Sequence, residues 1–347
     1  MRIAVLENLK QNAPRRPGEP VDAWVELGDP EDLQEILDAL ARGGHEVALF
    51  EGDLSLLERL PAFAPDLCFN LCEGHVGEGR ECHVPALLEM LRIPRTGAGI
   101  PALALTLDKP LTQTLLAARG LPVPPWQVFE TPDQPLDPAL RFPLFVKPVR
   151  EGSSKGVTNE SVVRSAPELR ARVAWVLSTY GQPAMVERFI RGREVTVGLL
   201  GNRIGPGDEG GGVTALPPFE ILFGGSDDGV YTHEIKSSIP WGWASGQNWS
   251  CPAPLPPALD QELARLARAA FVATGCRDYA RVDFRLDVED GLRPYVLEVN
   301  ALPGIFRNWS DIAFEATAAG MTYDDLILAI VEHAARRWGL TAPGGNR

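Results

Sequence analysis

Residues 279–304 read YARVDFRLDVEDGLRPYVLEVNALPG, two strand-like runs that carry Arg281, Asp283, Glu298 and Asn300 among apolar neighbours. Asp290-Gly291 is a strong signal for a two-residue hairpin turn, because glycine takes positive φ freely. That turn places Arg281 opposite Asn300 and Asp283 opposite Glu298. Strand side chains alternate faces, so these four share one side, while Val282, Phe284, Leu297 and Val299 take the other and can pack. Two carboxylates beside an amide suit a hard cation with oxygen ligands, Mg2+ above all. The arginine beside them suits an anion on the far side of that cation. The plain alternative is a solvated face with an ordinary ion pair; the following NALPG and the cationic loops upstream favour the cation site.

Those loops have the chemistry of a phosphate cradle. FVKPVREGSSKGV puts Lys147 at a strand end, five residues before Gly152-Ser153-Ser154. Small residues let backbone N–H groups close around phosphate oxygens, and a lysine adds a point charge. The lysine precedes the loop, which distinguishes it from the Walker pattern. Lys109 opens a helix-like segment in LDKP, and Lys236 lies on an extended run in THEIKSSI. Glu187 and Glu194, seven apart in MVERFIRGREVTV, are placed to take an adenine amino group and ribose hydroxyls.

These residues need a scaffold, and the chain supplies two textures. Up to about residue 100, strands RIAVL, HEVALF and PDLCFNL alternate with helical patterns PEDLQEILDALARGG and VPALLEMLR. That alternation predicts a parallel sheet covered on both faces. Beyond the proline-rich loops near 120–138, strands and helices mix, with long helices at APELRARVAWVLSTYG, PPALDQELARLARAAFVATG and about 322–338. The expected class is α/β, becoming α+β toward the C-terminus. The expected division is 1–106, 107–190 and 191–347, with a glycine- and tryptophan-rich lid over the site within 205–250.

Composition narrows the partners. The 347 residues carry a net charge of −13, with 45% hydrophobic and 23% charged residues. Nucleic acid and anionic membrane need a basic face, so neither is an expected partner. No long apolar run predicts a membrane span, and MRIAVL enters a strand with no signal-peptide pattern, so a cytoplasmic location is expected. Five cysteines do not form a disulfide pattern. Cys68 and Cys72 on one strand would stand about 13 Å apart, too far for one zinc ion.

Taken in order, GEGRECHVPALLEMLRIPRTGAG, ALTLDK, KPVREGSSKGV, VERFIRGREVTV, YTHEIKSS, CPAPLPP, GCRDYARVDF and LEVNALPG resemble the ATP-grasp enzymes, most closely the D-alanine–D-alanine ligases. The resemblance covers nearly all of the chain after about residue 66. It implies an ATP-grasp fold behind an N-terminal parallel-sheet domain, and an ADP-forming carboxylate–amine ligase working through an acyl phosphate. ATP and two Mg2+ ions, with Mn2+ as a substitute, are the implied cofactors, and a homodimer the implied assembly. By resemblance Lys109 and Lys147 hold the α- and β-phosphates, Glu187 and Glu194 adenine and ribose, and Lys236 the γ-phosphate. Ser154 belongs to the same nucleotide-binding loop. Asp283, Glu298 and Asn300 are the implied metal ligands. Arg281 and the Gly304 N–H are the implied oxyanion donors, and Ser153 orients the amine.

The departures fall on the amino-acid site. The family's N-terminal GG-x-S-x-E is replaced by LENLKQNAPRRPG, leaving Glu26 as a candidate for its glutamate. Glu73-Gly74 stands where these ligases have His-Gly, and Ser237 where they have tyrosine. Trp309 occupies the position of the serine that grips the second carboxylate, with Ser310 one later and Arg307 nearby. Glu73 is therefore expected to meet an amino or amidine group and Arg307 a carboxylate. Trp241, Trp243, Trp249 and Trp309 are candidates for a larger pocket or for loop packing. The leading reading is a ligase joining a small carboxylate or amino acid to an amine. Its alternatives are a true D-alanine–D-alanine ligase and a catalytically silent ATP-binding regulator.

Overall fold

Along Arg2–Glu7 (β1), successive side chains leave for opposite layers. Ile3 and Val5 pack with Leu33, Ile36 and Leu40 of the helix Pro30–Arg42 (α1). Ala4 and Leu6 pack with Leu56 and Leu60 of Leu56–Phe63 (α2) and with Val84 and Leu88 of His83–Met90 (α3). The strand is apolar at every inward position because both of its faces are covered. β1 lies between Glu46–Glu51 (β2) and Leu67–Asn70 (β3), parallel to both, as the strand–helix alternation predicts. The computed structural model describes residues 1–205, 207, 210–224, 228–232 and 248–340.

Two helices, Ile100–Leu107 (α4) and Lys109–Ala118 (α5), lead into a four-stranded antiparallel sheet. Its order is Trp126–Phe129 (β4), Ala184–Arg188 (β7), Leu144–Pro148 (β5) and Val162–Val163 (β6). Ala166–Tyr180 (α6) covers one face through Leu169, Val173 and Val176. Asp108 N-caps α5 by accepting from Leu111 N at 3.1 Å and also holds Arg150 at 2.8 Å. The start of α5 is thus tied to the loop after β5.

The third sheet is antiparallel. Gly192–Gly201 (β8) runs beside Asp278–Asp287 (β12), which pairs with Arg293–Asn300 (β13). On the other side of β8 lie Phe219–Ile221 (β10) and Trp249–Ser250 (β11), with Val213–Ala215 (β9) also on β8. Pro257–Thr274 (α7), Asp311–Ala318 (α8) and Tyr323–Trp338 (α9) complete it. Its core is continuous with that of α1: Leu33, Ile36 and Leu40 share one apolar cluster with Leu326, Ile330, Val195, Val282 and Phe284. Gly192 has φ 143, and a Cβ there would stand 1.9 Å from the Leu286 carbonyl oxygen, so the crossing of β8 and β12 admits no side chain at that point.

The β12–β13 connection corrects one expectation. Asp290-Gly291 is not a two-residue turn. Val288–Asp290 form a 3-10 turn, Gly291 and Leu292 take φ 60 and 64, and Asp287 pairs with Arg293. Pairing near the turn is therefore one residue out of the expected register. A bulge leaves Leu297 unpaired between Val296 and Glu298 and restores it, so Asp283 faces Glu298 and Arg281 faces Asn300.

Candidate active site

Arg281 and Asp283 stand two apart on β12 and point to one side, while Val282 and Phe284 are fully buried on the other. Arg281 makes a two-pronged contact with Asp283, Nε to Oδ1 at 2.8 Å and Nη2 to Oδ2 at 2.9 Å. Asn300 Nδ2 donates to Asp283 Oδ2 at 2.9 Å, and Thr196 Oγ1 donates to Oδ1 at 2.7 Å. Asp311 lies 3.5 Å from Arg281 Nη1. Burial works against the Arg281 charge, but Asp283, Asp311 and Glu298 outweigh it and hold its pKa above the ordinary range. Lys109 Nζ stands 3.4 Å from Glu298 Oε2 and donates to the Glu151 carbonyl. One corner therefore gathers Lys109 with three carboxylates, an amide and a guanidinium.

Two cavities meet at that corner, sharing Lys109, Glu151, Gly152, Tyr231 and Glu298. The first, about 110 Å³, runs between the two antiparallel sheets. Lys147 on β5 pairs with Glu187 on β7 at 2.7 Å, a diagonal contact because Lys147 sits opposite Met185. Glu194 on β8 faces Arg285 on β12 and holds it at 2.7 Å. Phe145, Phe189, Ile190 and Val230 supply apolar walls. Glu187 Oε2 is buried with no hydrogen-bond partner among the described residues, which leaves an acceptor for an amino group in the cleft. Leu297 lines this cavity; its position in the bulge turns it away from the core expected for it.

Ser153 and Ser154 both have left-handed backbones, φ 47 and 58, in the loop after β5. Two successive non-glycine residues in that conformation are costly and mark a functional loop. Ser154 lines the first cavity and Ser153 the second. The second cavity, about 600 Å³, extends from the corner toward the C-terminal ends of β1 and β3. Glu73, Arg281, Asn300, Gly304, Trp309 and Ser310 all line it. Ser310 Oγ accepts from Phe306 N at 2.8 Å, and Trp309 stacks on Phe306 with centroids 4.7 Å apart.

Other expected positions fall elsewhere. Arg307 is half-exposed, paired with Glu35 at 3.0 Å and set over the Tyr323 ring, so it is not brought to the cavity wall. Trp249 packs on Phe219 and Phe314, 5.4 and 4.9 Å between centroids, in a separate small core. Glu26 is committed to Lys155 and Arg80 at 2.5 and 3.2 Å. Burial opposes its charge, yet those two cations lower its pKa to about 2. Lys236, Ser237, Trp241, Trp243 and the 233–247 part of the expected lid lie outside the described residues.

Four contributors escaped the motif reading. Arg285, Thr196 and Asp311 become visible only through register and packing. Gln113 is buried on α5 and donates to the Val296 and Leu297 carbonyls at 3.1 and 2.7 Å, holding the bulge. The only sequence signal for it was a polar residue on the inward face of a helix. The donor set fits the groups implied by the resemblance. Glu298 and the Asn300 carbonyl offer the hard oxygens that Mg2+ requires, and Asp283 would join them by releasing one of its four hydrogen bonds. The Glu187 oxygen without a partner among the described residues suits the edge of a base.

Residues 115–332 match the family model described as the D-ala D-ala ligase C-terminus. The D-alanine–D-alanine ligase of Caulobacter vibrioides is 36% identical over 86% of this chain and 86% of its own length. The chain belongs to the D-alanine–D-alanine ligase family. That family comprises ATP-dependent, ADP-forming carboxylate–amine ligases with the ATP-grasp fold, which is the architecture described above. A ligase of this name from Bordetella avium is 32% identical over 86% and 87%, and protein y4sG of Sinorhizobium fredii 37% identical over 87% of each chain. The crystal structure of the Bacillus anthracis ligase complexed with ATP has a TM-score of 0.72 at 24% identity, covering 97% of this chain and 98% of that one. Among the described residues no helix is long and apolar enough to cross a membrane.

Proposed function

We propose that this ligase-family protein binds ATP in the first cavity, joins a small carboxylate to an amine in the second, and releases ADP and phosphate. The observation that carries the reading is the juxtaposition of Asp283, Glu298, Asn300, Arg281 and Lys109 where the two cavities meet. Lys147 and Lys109 neutralise the α- and β-phosphates, Glu187 and Glu194 take adenine and ribose, and Ser154 belongs to the enclosing loop. Mg2+ held by Asp283, Glu298 and Asn300 would neutralise phosphate charge, and two ions are proposed. A substrate carboxylate oxygen attacks the γ-phosphorus and ADP leaves; the amine nitrogen then attacks the acyl carbon and phosphate leaves. Arg281 and the Gly304 N–H stabilise the tetrahedral oxyanion, a contribution of about 3–4 kcal/mol per donor. Lys236 is assigned to the γ-phosphate, and Ser153 to orienting the amine.

The proposed divisions are 1–106, 107–190 and 191–347, and the protein is proposed to be a cytoplasmic homodimer. D-alanine as both substrates is the second reading, favoured by the names of the relatives. Against it, Glu26, the nearest substitute for the family's amino-group anchor, is occupied by Lys155 and Arg80. The test is phosphate release from ATP with a matrix of amino acids and amines. Release is expected only when one carboxylate and one amine are both present. ATP turnover indifferent to every mixture contradicts the proposal, and turnover with D-alanine alone selects the second reading. ATP binding with no Mg2+-dependent turnover in any mixture would mark a silent regulator.

A further inference from the structure

The far end of the second cavity is lined by carboxyl groups. Glu7 ends β1, Glu73 follows β3, and Glu81 lies in the 3-10 turn Arg80–Cys82. All three line the cavity at the carboxyl ends of parallel strands, a usual seat for ligands. Glu81 is 9% exposed and makes no hydrogen bond or ion pair with any described residue. Its neighbour Arg80 is turned away to Glu26, Glu151 and the Arg150 carbonyl, at 3.2, 3.3 and 2.8 Å. Lys155 is held by Glu26 and Glu151, each at 2.5 Å. Glu7 has backbone donors, Asn8 N at 2.8 Å and Gly28, but no cation among the described residues. A largely buried carboxylate that opens onto a cavity and has no hydrogen-bond or ion-pair partner among the described residues points to a ligand.

Among the described residues no three His, Cys, Asp or Glu side chains gather closely enough to hold a metal ion. Carboxylates spread along a cavity wall suit an extended organic cation with several N–H donors instead. We propose that one of the two joined substrates carries a guanidinium or a second ammonium, which seats against Glu81, Glu73 and Glu7. This rests on the ligase reading only in calling the ligand a substrate. Burial outweighs the nearby Arg80, Lys109 and Lys155 charges and raises the Glu81 pKa to about 7, and burial likewise raises those of Glu73 and Glu7.

The test is calorimetric titration of the full chain without nucleotide. The probes are arginine and its neutral isostere citrulline in both enantiomers, with agmatine, lysine and putrescine. At least one cation should bind, arginine about tenfold or more tighter than citrulline if guanidinium is the group. E81Q should weaken the best cation about tenfold and leave citrulline unchanged; E73Q provides the same comparison if E81Q does not fold. Citrulline binding as tightly as arginine, no binding by any of the cations, or a folded E81Q or E73Q with unchanged cation affinity overturns the proposal. Phosphate release supported equally by neutral and basic amino acids would remove this cation seat and leave the ligase standing. Cation binding without phosphate release in any mixture would remove the ligase reading and leave the seat.

Discussion

Lys147 and Glu187 form an ion pair 2.7 Å long with side chains 8% and 4% exposed. Removing one partner leaves the other charge uncompensated in a largely buried cleft. Glu187→Ala is therefore expected to raise the KM for ATP about tenfold or more while changing kcat less, because the loss is one of nucleotide binding. Steady-state kinetics at varied ATP checks it; an unchanged KM removes Glu187 from the nucleotide site. Glu81 governs a pH effect of definite sign. Its carboxyl keeps a proton in the folded state up to about pH 7, whereas its ordinary value is 4.5. Between those values the folded chain binds the extra proton, so stability falls as pH rises through that window and stays lower above it. Glu26, lowered to about 2 by Lys155 and Arg80 after overcoming burial, acts oppositely and loses its contribution as pH drops below 4.5. Thermal unfolding of E81Q should thus exceed wild type more at about pH 8 than at about pH 5. Parallel curves would contradict the burial of an unpaired Glu81.

The decisive element is the β12–β13 hairpin. Its facing pairs were legible in the sequence because strand side chains alternate and the polar residues all fall on one parity. The turn was not legible. Asp-Gly favours a two-residue reversal, but Gly291 and Leu292 both adopt left-handed backbones after a 3-10 turn, and the bulge at Leu297 compensates. Bulges depend on what satisfies the freed carbonyl, and that partner, Gln113, lies on a helix 184 residues away. Gln113→Leu should leave the bulge carbonyl unsatisfied and destabilise the fold by about 1–3 kcal/mol. Denaturant unfolding measures this, and a change within about 0.5 kcal/mol would show that the bulge holds itself. The parallel N-terminal sheet was legible for a different reason: strands buried on both faces read as continuous apolar runs between amphipathic helices.

At the scale of the molecule, the N-terminal layer and the large antiparallel sheet share a core, so the second cavity is walled by both. Long-range packing of this kind explains why Arg307 was misplaced by its proximity to Ser310. Tyr323 and Glu35, from distant segments, draw it to the surface. The proposed homodimer predicts twice the chain mass by analytical ultracentrifugation, and a single-chain mass at micromolar concentration would remove it. The central claim is that Asp283, Glu298 and Asn300 form the metal cradle of a ligase. Phosphate release from ATP by wild type and Glu298→Ala, over an Mg2+ titration with an active substrate pair, tests it most directly. Wild-type release should require Mg2+, and Glu298→Ala should lose about a thousandfold or more at every Mg2+ concentration. A variant within a few-fold of wild type, or release that persists after the metal is chelated, would contradict it.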